Sequence, residues 1–140
     1  MSEVVYKGND ILVRSGKIKQ NSVVVTFGPL PQSREDSNKG FGENVYEKLG
    51  FDEIHIISQS RNWYQSADMS KAISVVQELT KQHEKVITIG SSMGGFGVLT
   101  FSNLLNADYA ISISGQYSID PKIMPNESRW QYSKKRIDFI

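Results

Sequence analysis

The residues best able to do chemistry sit in one short stretch, Gly90-Ser91-Ser92-Met93-Gly94, which fits the pattern G-x-S-x-G. A β-branched run, Val86-Ile87-Thr88-Ile89, leads into it without a spacer, and an apolar segment through Leu99, Phe101, Leu104 and Leu105 follows. A serine on so tight a strand-to-helix turn holds a strained backbone, and its hydroxyl is lifted clear of the sheet. Strand and helix pass close together there, so the residues two before and two after must be small; Gly90 and Gly94 meet that need. The chemistry implied is attack by Ser92 Oγ on an acyl carbonyl, with the Met93 N–H at the helix start stabilising the oxyanion. A second oxyanion donor is expected from the loop after the first central parallel strand, Gly28-Pro29-Leu30. Proline has no N–H, so Gly28 or Leu30 must supply it. Glycine-serine turns after strands also bind phosphate or simply connect elements. Two phosphate-binding patterns fail, however: no G-x-x-x-x-G-K-[ST] is present, and Gly94-Gly95-Phe96-Gly97 does not give G-x-G-x-x-G.

The elements around this stretch alternate. Val4-Val5-Tyr6, a Gly8-Asn9-Asp10 turn and Ile11-Leu12-Val13 read as a hairpin. Residues Ser22 to Phe27 form a run of the kind buried on both faces of a parallel sheet, ended by Gly28-Pro29 and a polar loop to Gly42. Phe41, Val45 and Leu49 share one face of a predicted helix that Gly50 can terminate. Glu53 to Ser58 is the next strand, and the loop Arg61-Asn62-Trp63-Tyr64-Gln65 follows it. Asp68 is placed to cap a helix whose apolar stripe is Met69, Ala72, Ile73, Val76 and Leu79. After the G-x-S-x-G helix, Tyr109 to Ile113 is a last strand, and a further helix is predicted to begin between Trp130 and Ile140. A hairpin followed by β-α-β-α-β-α-β predicts an α/β fold: a mainly parallel sheet with helices on both faces and an antiparallel edge. Chemistry in such sheets lies at the carboxyl ends of the strands, where Ser92 falls and where Trp63 and Tyr64 form an expected rim able to stack on a sugar ring or pack the loop.

Composition narrows the function classes. The 140 residues are 39% hydrophobic and 22% charged, enough for one domain with its own core. There is no cysteine, which excludes thiolate catalysis, Cys-type zinc sites and iron–sulfur clusters. No metal or other cofactor is implied. The net charge is +1, and the densest basic run, Lys134-Lys135-Arg136, reads as a solvated helix face, so no nucleic-acid partner is expected. The N-terminus lacks a basic region followed by an apolar one, and no stretch is long enough to span a membrane; a cytoplasmic location is the default expectation.

In the order of its elements and in its G-x-S-x-G turn, the chain resembles the α/β-hydrolase fold. The Gly40-Phe41-Gly42-Glu43 segment, the Arg61 to Gln65 loop and the Gly90 to Gly97 turn are more narrowly similar to hydrolase-like proteins encoded with bacterial surface-polysaccharide genes. The fold-level resemblance implies a serine hydrolase, an esterase or deacylase working through an acyl-enzyme on Ser92; the narrower one implies an acylated glycan or small-molecule ester as substrate. It also implies a catalytic acid and then a histidine after the serine. Asp120 stands where this fold can supply the acid, although a turn role is open to it as well. No histidine follows Ser92. His83 precedes the strand entering the turn, ~20 Å away at ~3.3 Å per strand residue, and His55, inside a strand, reads as structural. The sequence thus reads as a single hydrolase-like domain over 1–140, a fragment without its last strands and catalytic histidine, nearly inactive alone. It ends on the apolar Ile137-Asp138-Phe139-Ile140 with nothing after it to bury it, and the missing strands would leave an exposed parallel edge that invites homodimerisation or strand exchange. Two other readings stay open: a non-catalytic binding or assembly protein of polysaccharide synthesis or export, and a flavodoxin-like binder of phosphate or a nucleotide.

Overall fold

In a computed structural model of the protein, residues 2–126 and residue 129 are described. The expected helix near Trp130 to Ile140, the Lys134-Lys135-Arg136 run and the apolar ending lie outside the described residues. Six strands form one sheet: β1 (Glu3–Lys7), β2 (Ile11–Ser15), β3 (Ser22–Phe27), β4 (Asp52–Ser58), β5 (Lys85–Ser91) and β6 (Tyr109–Ile113). Their spatial order is β1-β2-β4-β3-β5-β6. The first three pair antiparallel, whereas β4, β3, β5 and β6 run parallel. β3 is central because Val23 to Phe27, every residue buried, can be covered on both faces.

Alternation along the strands divides the sheet into two faces. Ile11, Val13, Val23, Val25, Phe27, Ile54 and Ile56 face α2 (Met69–Thr80) and α3 (Met93–Phe101) in the main core. α2 buries Met69, Ala72, Ile73 and Val76 as its spacing predicts, while Leu79 is only partly covered and Thr80 is buried in addition. Asp68 stands at its N-cap, but its side chain makes no capping bond: the carboxylate reaches back to accept the Asp10 N–H at 2.6 Å and the Ile11 N–H at 3.3 Å. Ser66 takes over the start of the helix, its Oγ accepting the Asp68 N–H and its carbonyl the Met69 N–H. Asp68 therefore ties the first hairpin to α2.

The opposite face is covered by residues of the segment between β3 and β4. The helix expected there from Phe41, Val45 and Leu49 shrinks to one turn, α1 (Val45–Lys48), and leaves Val45 51% and Leu49 66% exposed. Positive φ at Gly42 (67°) and Asn44 (70°) breaks the helical path, and Gly50 (φ 89°) closes the turn. Polar groups hold this segment instead. Glu53 accepts the Asn44 and Glu47 N–H groups at 2.9 Å each, and Gly40 donates to Glu43 at 3.2 Å. Gly40 lies flat on His55: a Cβ there would sit 2.2 Å from the ring.

Among the described residues β6 is the far edge of the sheet, with Tyr109, Ile111 and Ile113 each about half exposed. No helix of the described residues is long and apolar enough to cross a membrane.

Candidate active site

β5 leads directly into α3, and Ser92 is the residue between them, at φ 55° and ψ −116°. That conformation costs a non-glycine residue on the order of 1–3 kcal/mol. Its neighbours hold it. The Ser92 N–H donates to the Ile113 carbonyl at 3.0 Å, and the Ser92 carbonyl accepts the Phe96 N–H at 3.1 Å. The two glycines of the motif are required by contact: a Cβ on Gly90 would meet the Gly94 carbonyl oxygen at 2.4 Å, and one on Gly94 would meet the Phe27 oxygen at 2.1 Å. α3 carries three glycines in nine residues, a poor helix by propensity, yet seven of the nine are buried. Close packing against β3 and the segment after β6 offsets that weakness.

The donors around Ser92 can be counted one by one. Ser92 Oγ, half-buried, makes no hydrogen bond among the described residues. The Met93 N–H, first in α3, likewise has no partner there. Of the two candidates after β3, the Gly28 N–H is already committed to the Ile56 carbonyl at 3.0 Å. The Leu30 N–H has no partner among the described residues. Beside it an open cleft of about 360 Å³ is lined by Pro29, Leu30, Lys39, Phe41 and Ile57.

The structure corrects the expected rim. Trp63 and Tyr64 are fully buried: Trp63 packs edge-on to Phe96 (5.9 Å, 74°) and Tyr64 edge-on to Phe27 (5.5 Å, 85°). Both adopt left-handed backbone, φ 57° and 59°, which turns their side chains under the loop rather than out to a ligand. No sugar can stack on them there. Sequence offered no signal for this, since loop aromatics at a carboxyl edge serve as rim or core alike.

Asp120 forms a turn. Its Oδ1 accepts the Lys122 N–H at 2.9 Å, its N–H donates to Ser118 Oγ at 3.0 Å, and its carbonyl accepts the Ile123 and Met124 N–H groups. No hydrogen bond links it to Ser92.

Both histidines are occupied elsewhere. His55 is fully buried on the face opposite α2 and α3, between Thr26 Oγ1 at 2.6 Å and Glu53 Oε2 at 3.2 Å. A neutral ring satisfies both partners, accepting from Thr26 at Nδ1 and donating to Glu53 from Nε2. Burial pushes its pKa below the usual 6.5, against the pull of Glu53 and Glu43. His83 bonds Asp52 Oδ2 at 2.8 Å at the start of β4, the amino end of the parallel strands. Asp52 also accepts the Lys19 and Gln20 N–H groups. This pair was missed in the sequence, although Asp52, Glu53 and His55 in a wholly buried strand are a legible sign of polar networks.

Sheet order, the parallel β3-β5-β6 block and the strand–turn–helix at Ser92 define an α/β-hydrolase-like fold. No protein-family model matches the chain, and no curated protein matches it. Solved structures do, the following two among others. A capsule O-acetyltransferase of Neisseria meningitidis serogroup A is 13% identical with a TM-score of 0.59, the match covering 93% of this chain and 61% of that one. The fluorophosphonate-binding serine hydrolase F of Staphylococcus aureus, with substrate bound, is 14% identical with a TM-score of 0.59, covering 98% and 64%. The chain thus spans less than two-thirds of either neighbour's length.

Proposed function

We propose that this chain carries the nucleophile and oxyanion-binding part of a serine hydrolase or acyl-transfer site, acting on an ester. The observation that carries the reading is Ser92 itself: a strained serine at the carboxyl edge of the sheet, its hydroxyl and the adjacent Met93 N–H both without a partner among the described residues. In this reading Ser92 Oγ attacks the acyl carbonyl and loses its proton to a base. The carbonyl oxygen takes the negative charge between the Met93 and Leu30 N–H groups. Collapse expels the alcohol and leaves an acyl-Ser92, which water or a second hydroxyl then clears. The cleft beside Leu30 and Lys39 is where one portion of the ester is held. Neither His55 nor His83 is the base in this reading, since both are bonded elsewhere. The named activities of the two structural neighbours, capsule O-acetylation and serine hydrolysis, support an acylated glycan or a small ester as substrate.

Fluorophosphonate labelling, with imidazole added as an exogenous base, tests this reading. The folded protein is expected to label at Ser92 and Ser92→Ala not at all. A folded wild type that never labels would favour the non-catalytic binding protein. The phosphate-binding alternative is weakened because a cradle uses successive N–H groups, and the first of these, that of Ser92, is taken by Ile113.

A further inference from the structure

We infer that Tyr64 is a positioning residue for the oxyanion loop, its hydroxyl fixing the peptide plane at which Gly28-Pro29-Leu30 leaves β3. The inference rests on the serine-hydrolase reading and adds to it a residue that touches no substrate. The phenol hydroxyl lies 2.6 Å from the Gly28 carbonyl oxygen and 3.2 Å from that of Ile56. The same Gly28 carries the committed N–H, so both of its polar groups are held: the N–H by Ile56 and the carbonyl by Tyr64. Proline has a fixed φ, so once the Gly28 carbonyl is oriented one torsion, Pro29 ψ, is left before the Leu30 N–H.

The clamp is itself built to stay in place. Asn62 Oδ1 accepts the Tyr64 N–H at 3.1 Å and the Ser58 hydroxyl at 3.0 Å, and the Gln65 N–H donates to the Asn62 carbonyl at 3.0 Å. These bonds hold the left-handed pair that aims the ring inward. The ring packs on Phe27 and against α3 at Gly97, where a Cβ would come 3.1 Å from Tyr64 Cδ2. Tyr64 thus touches β3, β4 and α3, which carry the oxyanion loop and Ser92. Burial pushes its pKa up, so the phenol stays a neutral donor through the pH range of any assay. Tyrosine serves and phenylalanine does not, because the ring fills the core while the hydroxyl alone reaches the carbonyls.

Tyr64→Phe tests this by two readouts on the whole chain. The rate of fluorophosphonate labelling at Ser92 is expected to fall about tenfold, since one oxyanion donor is loosened rather than removed. The Leu30 amide resonance is expected to shift and its hydrogen exchange to quicken, while the amide of Val76 in α2 stays unchanged. A merely structural loss would move both amides alike and overturn the inference. Labelling of wild type and Tyr64→Phe at equal rates overturns the clamp and spares the hydrolase reading; a wild type that never labels overturns both. Should Tyr64→Phe fail to fold, difluorotyrosine at the same position changes the donor strength while keeping the contact. An unmoved Leu30 amide in that protein overturns the inference, and a shifted one supports it.

Discussion

The two ends of the parallel strands use their polar residues in opposite ways. At the amino ends, Asp52 gathers the Lys19 and Gln20 N–H groups and the His83 ring, so one buried carboxylate ties the approaches to β3, β4 and β5. At the carboxyl ends, the Ser92 hydroxyl and the Met93 and Leu30 N–H groups make no hydrogen bond among the described residues, and the backbone at Ser92 is strained. At the amino end the carboxylate is fully engaged, while His83 Nδ1 is buried without a partner among the described residues. At the carboxyl end the groups without a partner among the described residues are framed by neighbours that are themselves tightly held.

Breaking the tight packing at the carboxyl end should have the largest effect. Gly94→Ala drives a methyl group to 2.1 Å from the Phe27 oxygen, where backbone must move. A loss of about 3 kcal/mol or more is expected in urea unfolding, together with loss of labelling at Ser92. Next comes the amino end. Asp52→Ala removes the acceptor of two backbone N–H groups and of His83, which should cost about 3 kcal/mol, yet the labelling rate per folded molecule should hold within twofold. A large fall in that rate would erase the distinction between the two ends.

The smallest effect belongs to His55, in the middle of the sheet, where Glu53, Glu43 and Arg14 are the charged groups facing it. Its folded pKa is depressed below 6.5, so the unfolded chain binds the proton more readily. The stability it protects is fully present above pH 6.5 and declines as pH falls below it, by at most about 1.4 kcal/mol per pH unit for one proton. Thermal unfolding from pH 7 to pH 5 should show this slope, flattened in His55→Gln. An identical slope in the variant would mean that another group carries it.

The strands were legible because β-branched runs such as Val23-Val24-Val25 can be covered only inside a sheet, and Ser92 because Gly90 and Gly94 flag a close crossing whatever lies elsewhere. Helix spacing was less informative. Phe41, Val45 and Leu49 satisfy the period, but a period says nothing about what will cover the face, and the left-handed Asn44 cannot be read from its type. Trp63 and Tyr64, open to a rim or a packing role, take the packing one: two consecutive positive φ values accompany their inward placement, and bulky residues give no warning of them. The polar networks of Asp52 and His55 depend on strand neighbours, Thr26 beside His55 among them, that only the register brings together.

The most direct measurement is trapping of the acyl-enzyme. The protein is incubated with an activated acetate ester and imidazole, and its peptides are mapped by mass. The account predicts one added acetyl group on Ser92 and none in Ser92→Ala. A folded protein that stays unmodified, or takes the acetyl group on Ser91 instead, would contradict it.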